Sequence, residues 1–264
     1  MNNLSVTIIQ TKLIWEDKIG NLESFQNKIE SIETNTDLII LPEMFTTGFS
    51  MNPKLFAEKM DGNTVLWMQK MAKSSNVAIA GSIIIEENKE EYLNRFLFVM
   101  PDGKYQYYDK RHLFAMANEH KYYKQGEVNE LITYKGWRIK PMICYDLRFP
   151  VWSRNIDEYD LLIYVANWPE KRAEHWKALL KARAIENQAY VAGVNRIGID
   201  GNNHKYSGES AIYNPLGEKN TITKPNEDVV ETISISKEQI EKIRKSLPFL
   251  NDKDDFYINP HYSW

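Results

Sequence analysis

A run of four apolar residues closed by proline, Leu38-Ile39-Ile40-Leu41-Pro42, lies between two amphipathic stretches, and this alternation restricts the fold more than any other feature. Upstream, residues 4–9 read as a buried strand. Ile19, Leu22, Phe25, Ile29 and Ile32 then recur at three- and four-residue steps, the spacing of one helix face. Downstream, Val65, Met68, Met71 and Ala72 mark a second helix, followed by an apolar strand at 77–84. Strand, helix, strand, helix, strand is the rhythm of an α/β layered protein.

The middle of the chain departs from that rhythm. Residues 92–100 and 104–110 flank Pro101-Asp102-Gly103, a hairpin turn, so a mixed sheet is expected. Further strands are expected at 138–144, 160–166, 190–195, 206–213 and 229–235, with helices at about 172–188 and 237–245. No linker, repeat or low-complexity segment divides the 264 residues. The expectation is one domain over residues 1–264, with a C-terminal extension from about Leu247 that docks on the chain itself or on a partner subunit.

Several function classes drop out. The 33 basic and 36 acidic residues leave a net charge of −3 with no basic run, so neither nucleic acid nor a membrane is an expected partner. A single cysteine, Cys144, excludes an intramolecular disulfide, a CxxC pair and a multi-cysteine zinc site. His112, His120, His175, His204 and His261 are never paired at ligand spacing and read as hydrogen-bonded histidines. HExxH, GxxxxGK[ST] and GxGxxG are absent from the sequence, and Gly208-Glu209-Ser210 lacks the second glycine of a nucleophile elbow. No metal or cofactor is therefore expected. The start, Met1-Asn2-Asn3-Leu4-Ser5-Val6, lacks the pattern of a secretory signal, and no apolar run approaches a membrane span. A cytoplasmic location is the expectation.

Three residues at strand ends are candidates for chemistry. Cys144 closes an apolar strand and precedes Tyr145-Asp146-Leu147-Arg148-Phe149-Pro150. Taken alone it reads more readily as a small buried hydrophobe than as a nucleophile, and Asp146 with Arg148 as a local ion pair at a turn. Glu43 follows Leu41-Pro42 at the mouth of the sheet, where partial desolvation suits a general base, although an N-cap or loop acid fits the same position. Lys110 ends the strand after Tyr108-Asp109 and alone would be a solvated charge. Together they offer a base, a cation and a nucleophile: the carboxylate takes the thiol proton and the ammonium stabilises a tetrahedral oxyanion.

With these three motifs in this order, the chain resembles the nitrilase superfamily of carbon–nitrogen hydrolases along nearly its full length. The resemblance rests on Leu41-Pro42-Glu43-Met44-Phe45, on Tyr108 through Phe114, and on Ile143 through Pro150. It implies a four-layer α-β-β-α sandwich with two mixed sheets, whose subunits pair as a homodimer through an outer helical layer. It also implies an additional active-site carboxylate, Glu119 in Ala117-Asn118-Glu119-His120, for which a surface glutamate is the alternative. Thr46-Thr47-Gly48-Phe49-Ser50, Phe149-Pro150-Val151-Trp152 and Ala166-Asn167-Trp168-Pro169 look like the bacterial omega-amidase branch; Val151 stands where many other members carry Glu.

That branch implies hydrolysis of the terminal amide of a small 2-oxo acid amide, such as 2-oxoglutaramate or 2-oxosuccinamate, through a Cys144 thioester. Lys110 and the backbone N–H of Tyr145 would hold the oxyanion, and a cation or a set of N–H donors would hold the substrate carboxylate. Arg148 and Arg172 lie in the right motifs, with a fold-bracing role favoured for Arg148; Phe45 and Trp168 would wall the pocket or belong to the core. Two rivals remain: another amidase or carbamoylase of the superfamily, and a non-catalytic redox-sensing or interaction protein. An intact Glu43, Lys110 and Cys144 argues against the second.

Overall fold

The computed structural model describes residues 3–129 and 131–258; Met1, Asn2, Glu130 and residues 259–264, His261 among them, lie outside the described residues. The first half of the chain runs β1 (Asn3–Gln10), α1 (Lys18–Glu30), β2 (Leu38–Ile40), α2 (Pro53–Phe56), α3 (Asn63–Ser75), β3 (Ala78–Asn88), β4 (Glu91–Val99) and β5 (Tyr105–Asp109). The second half runs β6 (Ile132–Tyr134), β7 (Trp137–Ile143), β8 (Leu161–Ala166), α4 (Ala173–Asn187), β9 (Tyr190–Asn195), β10 (Ile197–Ile199), β11 (Lys205–Ser207), β12 (Ala211–Tyr213), β13 (Val229–Ser236) and α5 (Lys237–Ser246).

Two mixed sheets result. The first is six-stranded in the order β13-β1-β2-β3-β4-β5, and the second five-stranded in the order β12-β9-β8-β7-β6. In each, three neighbouring strands are parallel (β1, β2, β3 and β7, β8, β9) and the outer strands antiparallel. Alternation along the strands sorts side chains between layers. Ile9, Ile39 and Ile79 pack under Phe25, Ile29, Val65 and Met68 of α1 and α3. Ile8, Leu38, Ile40 and Phe98 turn the other way, into a core shared with Ile139, Ile143, Ile163 and Val165 of the second sheet. Trp176, Leu180 and Ala184 of α4 cover the far side of the second sheet. They seat closely because β9 carries Gly193, where a Cβ would come 2.4 Å from Leu180. The layers are α-β-β-α.

Two details differ from the sequence reading. On α1 the buried residues are Asn21, Phe25 and Ile29; Ile19 is exposed and Ile32 lies beyond the helix end. The Asn21 amide donates to the carbonyls of Ile14, Asp17 and Thr46 and accepts from the Ile14 N–H, so the helix spends an inner position on tying down two loops. One of those loops follows Glu43. The single strand expected at 206–213 is two strands in different sheets: β11 pairs with β10, and β12 with β9. Gly208 (φ +76°) and Glu209 (φ +57°) break it, and the Gln10 carboxamide fills the space at Gly208.

Beyond α5, the Leu247 carbonyl accepts from Gln188 Nε2, and Ile258 packs against the main hydrophobic core.

Candidate active site

Glu43, Lys110 and Cys144 follow the last residues of β2, β5 and β7, and the two-sheet packing brings those ends together. Lys110 Nζ donates to Glu43 Oε1 at 2.9 Å and to Glu119 Oε1 and Oε2 at 3.0 Å each. Glu43, Lys110 and Glu119 are fully or almost fully buried. Glu119 sits in a short 3₁₀ turn, Glu119–Lys121, and its Oε2 also accepts the Phe114 N–H at 2.6 Å. The carboxylate of Glu43 is oriented from both sides. Asn94 Nδ2 donates to Oε1 at 2.8 Å, the Asn167 backbone N–H donates to Oε2 at 2.8 Å, and Asn167 Nδ2 donates to the Glu43 carbonyl at 2.6 Å.

Burial favours deprotonation of Lys110, but Glu119, Glu43 and the neighbouring thiol outweigh it and hold its pKa above the usual range. Burial raises the pKa of Glu119, with Lys110 pulling the other way. The Cys144 thiol is pushed well above its usual range by burial and then by the charge of Glu43, with Lys110 opposing. The thiol is therefore held protonated beside a carboxylate, and any nucleophilic role would require a base to take its proton.

Cys144 is the first residue of a 3₁₀ turn, Cys144–Arg148, with φ +44°. This left-handed conformation costs a non-glycine residue about 1–2 kcal/mol. Asp146 holds the turn in place. It is fully buried and accepts from the Ile143 N–H (2.9 Å), Tyr108 Oη (2.8 Å), the His112 N–H (2.9 Å) and His112 Nδ1 (2.8 Å). The segment around Lys110 is thereby pinned to the residue before Cys144. Among the described residues Asp146 makes no ion pair with Arg148, which corrects the turn-local pairing read from the sequence. Asp146→Ala would leave these donors without their acceptor, and a loss of about 3 kcal/mol or more is expected in urea unfolding.

A cavity of about 640 Å³ opens onto Lys110 and Cys144, with Tyr145, Arg148, Trp168 and Arg172 in its wall. Glu43 and Glu119 stand behind that wall. The Arg148 guanidinium lies 4.7 Å over the Trp168 ring, and Arg172 lies 5.4 Å over Phe114. Burial, and then the like charge of Arg172, lower the pKa of Arg148. Among the described residues no carboxylate pairs with either arginine. Phe45 is not part of this wall; it is buried against Phe25 and Trp67 in the layer of α1 and α3. Phe49 takes the place expected of it, with its ring 5.0 Å from Lys110 Nζ.

Sequence reasoning missed Asn94, Asn167, Phe49 and the anchoring role of Asp146. Asn167 carries the same signal as Glu43, a polar residue directly after a wholly apolar strand. Asn94 is a lone amide within an otherwise apolar strand face. Asp200, Asn202, His204 and Tyr206, around the β10–β11 turn, line the cavity and had no local signal.

The sequence pattern of the carbon-nitrogen hydrolase family matches residues 5–245. The chain belongs to that family. Proteins similar to it include the omega-amidase YafV of Escherichia coli (strain K12), 46% identical over 98% of this chain and 100% of the relative. The 2-oxoglutaramate amidase of Bacillus subtilis (strain 168) is 31% identical over 96% of this chain and 99% of the relative. A crystal structure of a CN-hydrolase superfamily protein from Xanthomonas campestris, with an arsenic adduct in its active site, superposes with a TM-score of 0.95. It is 41% identical and covers 98% of this chain and 100% of that one.

Proposed function

We propose that this hydrolase is an omega-amidase that converts 2-oxoglutaramate or 2-oxosuccinamate to the 2-oxo dicarboxylic acid and ammonia. The observation that carries the reading is the cavity itself: it presents the Cys144 thiol together with two guanidinium groups, Arg148 and Arg172, that have no carboxylate partner among the described residues. A substrate with an amide at one end and a carboxylate at the other fits that pair of chemistries. The full-length similarity to an omega-amidase supports the same reading.

In this reading Glu43 takes the Cys144 proton and the thiolate attacks the amide carbonyl. Lys110 and the backbone N–H of Tyr145 stabilise the oxyanion. Glu43 returns the proton to nitrogen, ammonia leaves, and a thioester remains. Water activated by Glu43, with Glu119 keeping the Lys110 ammonium in place, hydrolyses the thioester. Arg172 and Arg148 hold the substrate carboxylate, and Trp168 walls the chain between the two ends.

Glutamine tests the assignment. It shares the amide, chain length and carboxylate of 2-oxoglutaramate and differs at the α-carbon, where an ammonium replaces a planar carbonyl. Placing that ammonium beside two guanidiniums costs several kcal/mol. The expected result is a kcat/KM for 2-oxoglutaramate orders of magnitude above that for glutamine, read as ammonia release. The shorter 2-oxosuccinamate remains a substrate, because one methylene is worth only about 1–3 kcal/mol. Comparable values for glutamine and 2-oxoglutaramate would remove the omega-amidase reading and leave the family standing; a preference for a carbamoylated amine would replace it.

The proposal includes a cytoplasmic homodimer. Val151, Ile156, Ile185, Leu247 and Phe249 are exposed apolar side chains. They gather around the C-terminal end of α4, because Asn155 bonds to Asn187 and Leu247 to Gln188. Such a patch supports pairing through the outer helical layer. Light scattering is expected to give twice the chain mass; a monomer at micromolar concentration would refute it.

A further inference from the structure

Phe114 stands where three parts of the site meet. Its backbone N–H donates to Glu119 Oε2 at 2.6 Å, and both oxygens of that carboxylate accept from Lys110 Nζ. Its ring lies 5.4 Å from the Arg172 guanidinium and 5.0 Å from the ring of Tyr145, the neighbour of Cys144. The chain closes back on it a second time, since the Glu119 N–H donates to the Phe114 carbonyl at 3.3 Å. Phe114 also lines the cavity.

We infer that Phe114 is a positioning residue that transmits occupancy of the carboxylate site at Arg172 to the Glu119–Lys110 pair, so that the substrate carboxylate raises kcat as well as affinity. The inference rests on the omega-amidase reading. Arg148 and Arg172 share one cavity wall and repel one another, and among the described residues no carboxylate pairs with either. The Arg172 guanidinium already lies over the face of the Phe114 ring, where the aromatic quadrupole attracts it, and a bound carboxylate cancels the repulsion from Arg148 and fixes it there. The ring is then held between Arg172 and Tyr145. Its N–H is the donor that orients Glu119, and Glu119 holds the ammonium that stabilises the oxyanion. Binding energy at the remote end of the substrate is spent on arranging the reacting groups, which is the condition for a gain in kcat.

The test compares 2-oxoglutaramate with 4-oxopentanamide, which keeps the amide, the ketone and the chain length but carries a methyl group in place of the carboxylate. For the wild-type enzyme the kcat values are expected to differ about tenfold, within the range that a desolvated cation–π contact permits. Phe114→Leu keeps the backbone N–H and removes the aromatic face. It is expected to draw the ratio of the two kcat values toward one, chiefly by slowing 2-oxoglutaramate, while Phe114→Tyr restores the ratio. Equal fractional losses on both amides in Phe114→Leu would reduce Phe114 to a brace for Glu119 and overturn the inference. Equal wild-type kcat values, with all discrimination in KM, would overturn it without any variant and leave the omega-amidase reading intact. If the wild-type enzyme showed no preference for 2-oxoglutaramate in kcat/KM, the omega-amidase reading itself would fall.

Discussion

Cys144→Ala is expected to abolish ammonia release from 2-oxoglutaramate, with kcat falling by about five to six orders of magnitude, the scale of removing a nucleophile that acts as one unit with its base. The fold should survive. Alanine keeps the Cβ and so meets the same left-handed backbone at φ +44° that Cys144 already occupies. The deleted sulfur is partly exposed to the cavity and leaves only a small void in the core. A change in unfolding free energy of about 1 kcal/mol is expected. Because Cys144 is the only cysteine in the sequence, iodoacetamide should modify the wild-type protein once, inactivate it, and leave the variant unlabelled in a mass spectrum. Substantial turnover by the alanine variant would eliminate the thioester route.

Lys110→Ala is expected to be nearly as severe and to carry a signature of its own. Loss of an oxyanion donor alone accounts for about 10²–10³ in kcat. Here the ammonium also separates two wholly buried carboxylates, Glu43 and Glu119. Without it they face each other across a dry site, and one must take a proton. If that one is Glu43, the base is lost with the cation, so a total loss of about 10⁴ or more is expected. The sign of the pH dependence follows. In the variant the shared carboxylates have raised pKa values in the folded state, so the folded state binds more protons than the unfolded chain. The stability deficit of the variant is then small at acid pH and grows as pH rises through those raised values. Melting temperatures of variant and wild type should diverge more at pH 8 than at pH 5. Lys110→Arg should not rescue activity, because the guanidinium needs room and a planar set of acceptors that a fully buried pocket shaped for an ammonium lacks. A fully active arginine variant would make Lys110 no more than a buried counter-charge.

Of the three candidate residues, Cys144 directly follows an apolar strand and Glu43 an apolar run closed by proline, whereas Lys110 follows Tyr108-Asp109 and was legible only in combination with the other two. A short apolar run has few options other than a buried strand, and the first polar residue after it emerges at the sheet edge. Asn167 obeys the same rule, but an amide does not titrate and so carries no signal of acid–base chemistry. Phe45 shows the limit of adjacency. It lies two residues from Glu43, yet Met44 turns the backbone with φ +43° and the Phe45 N–H bonds to the Ser82 carbonyl. The ring is thereby directed into the helix-facing core, and Phe49 reaches the cavity instead. Asp146 misled for a related reason. Two residues from Arg148, it looked like half of a local pair, but its acceptors face Tyr108 and His112, which belong to a different part of the fold.

Local periodicity and the ends of apolar runs depend on neighbouring residues alone. They were enough to establish the layered α/β architecture, most of its strands and helices, and the order Glu43, Lys110, Cys144. Partnership is a different kind of information. Glu43 meets Lys110 across 67 positions and Asn167 across 124, and no local propensity reports such a contact. The packing of two sheets brings their strand ends within hydrogen-bonding distance. That packing makes Asn94 and Asn167 the clamps on the Glu43 carboxylate, turns Glu119 inward to the ammonium, and leaves Arg148 and Arg172 to share one cavity, because desolvated polar groups settle where distant segments supply partners for them.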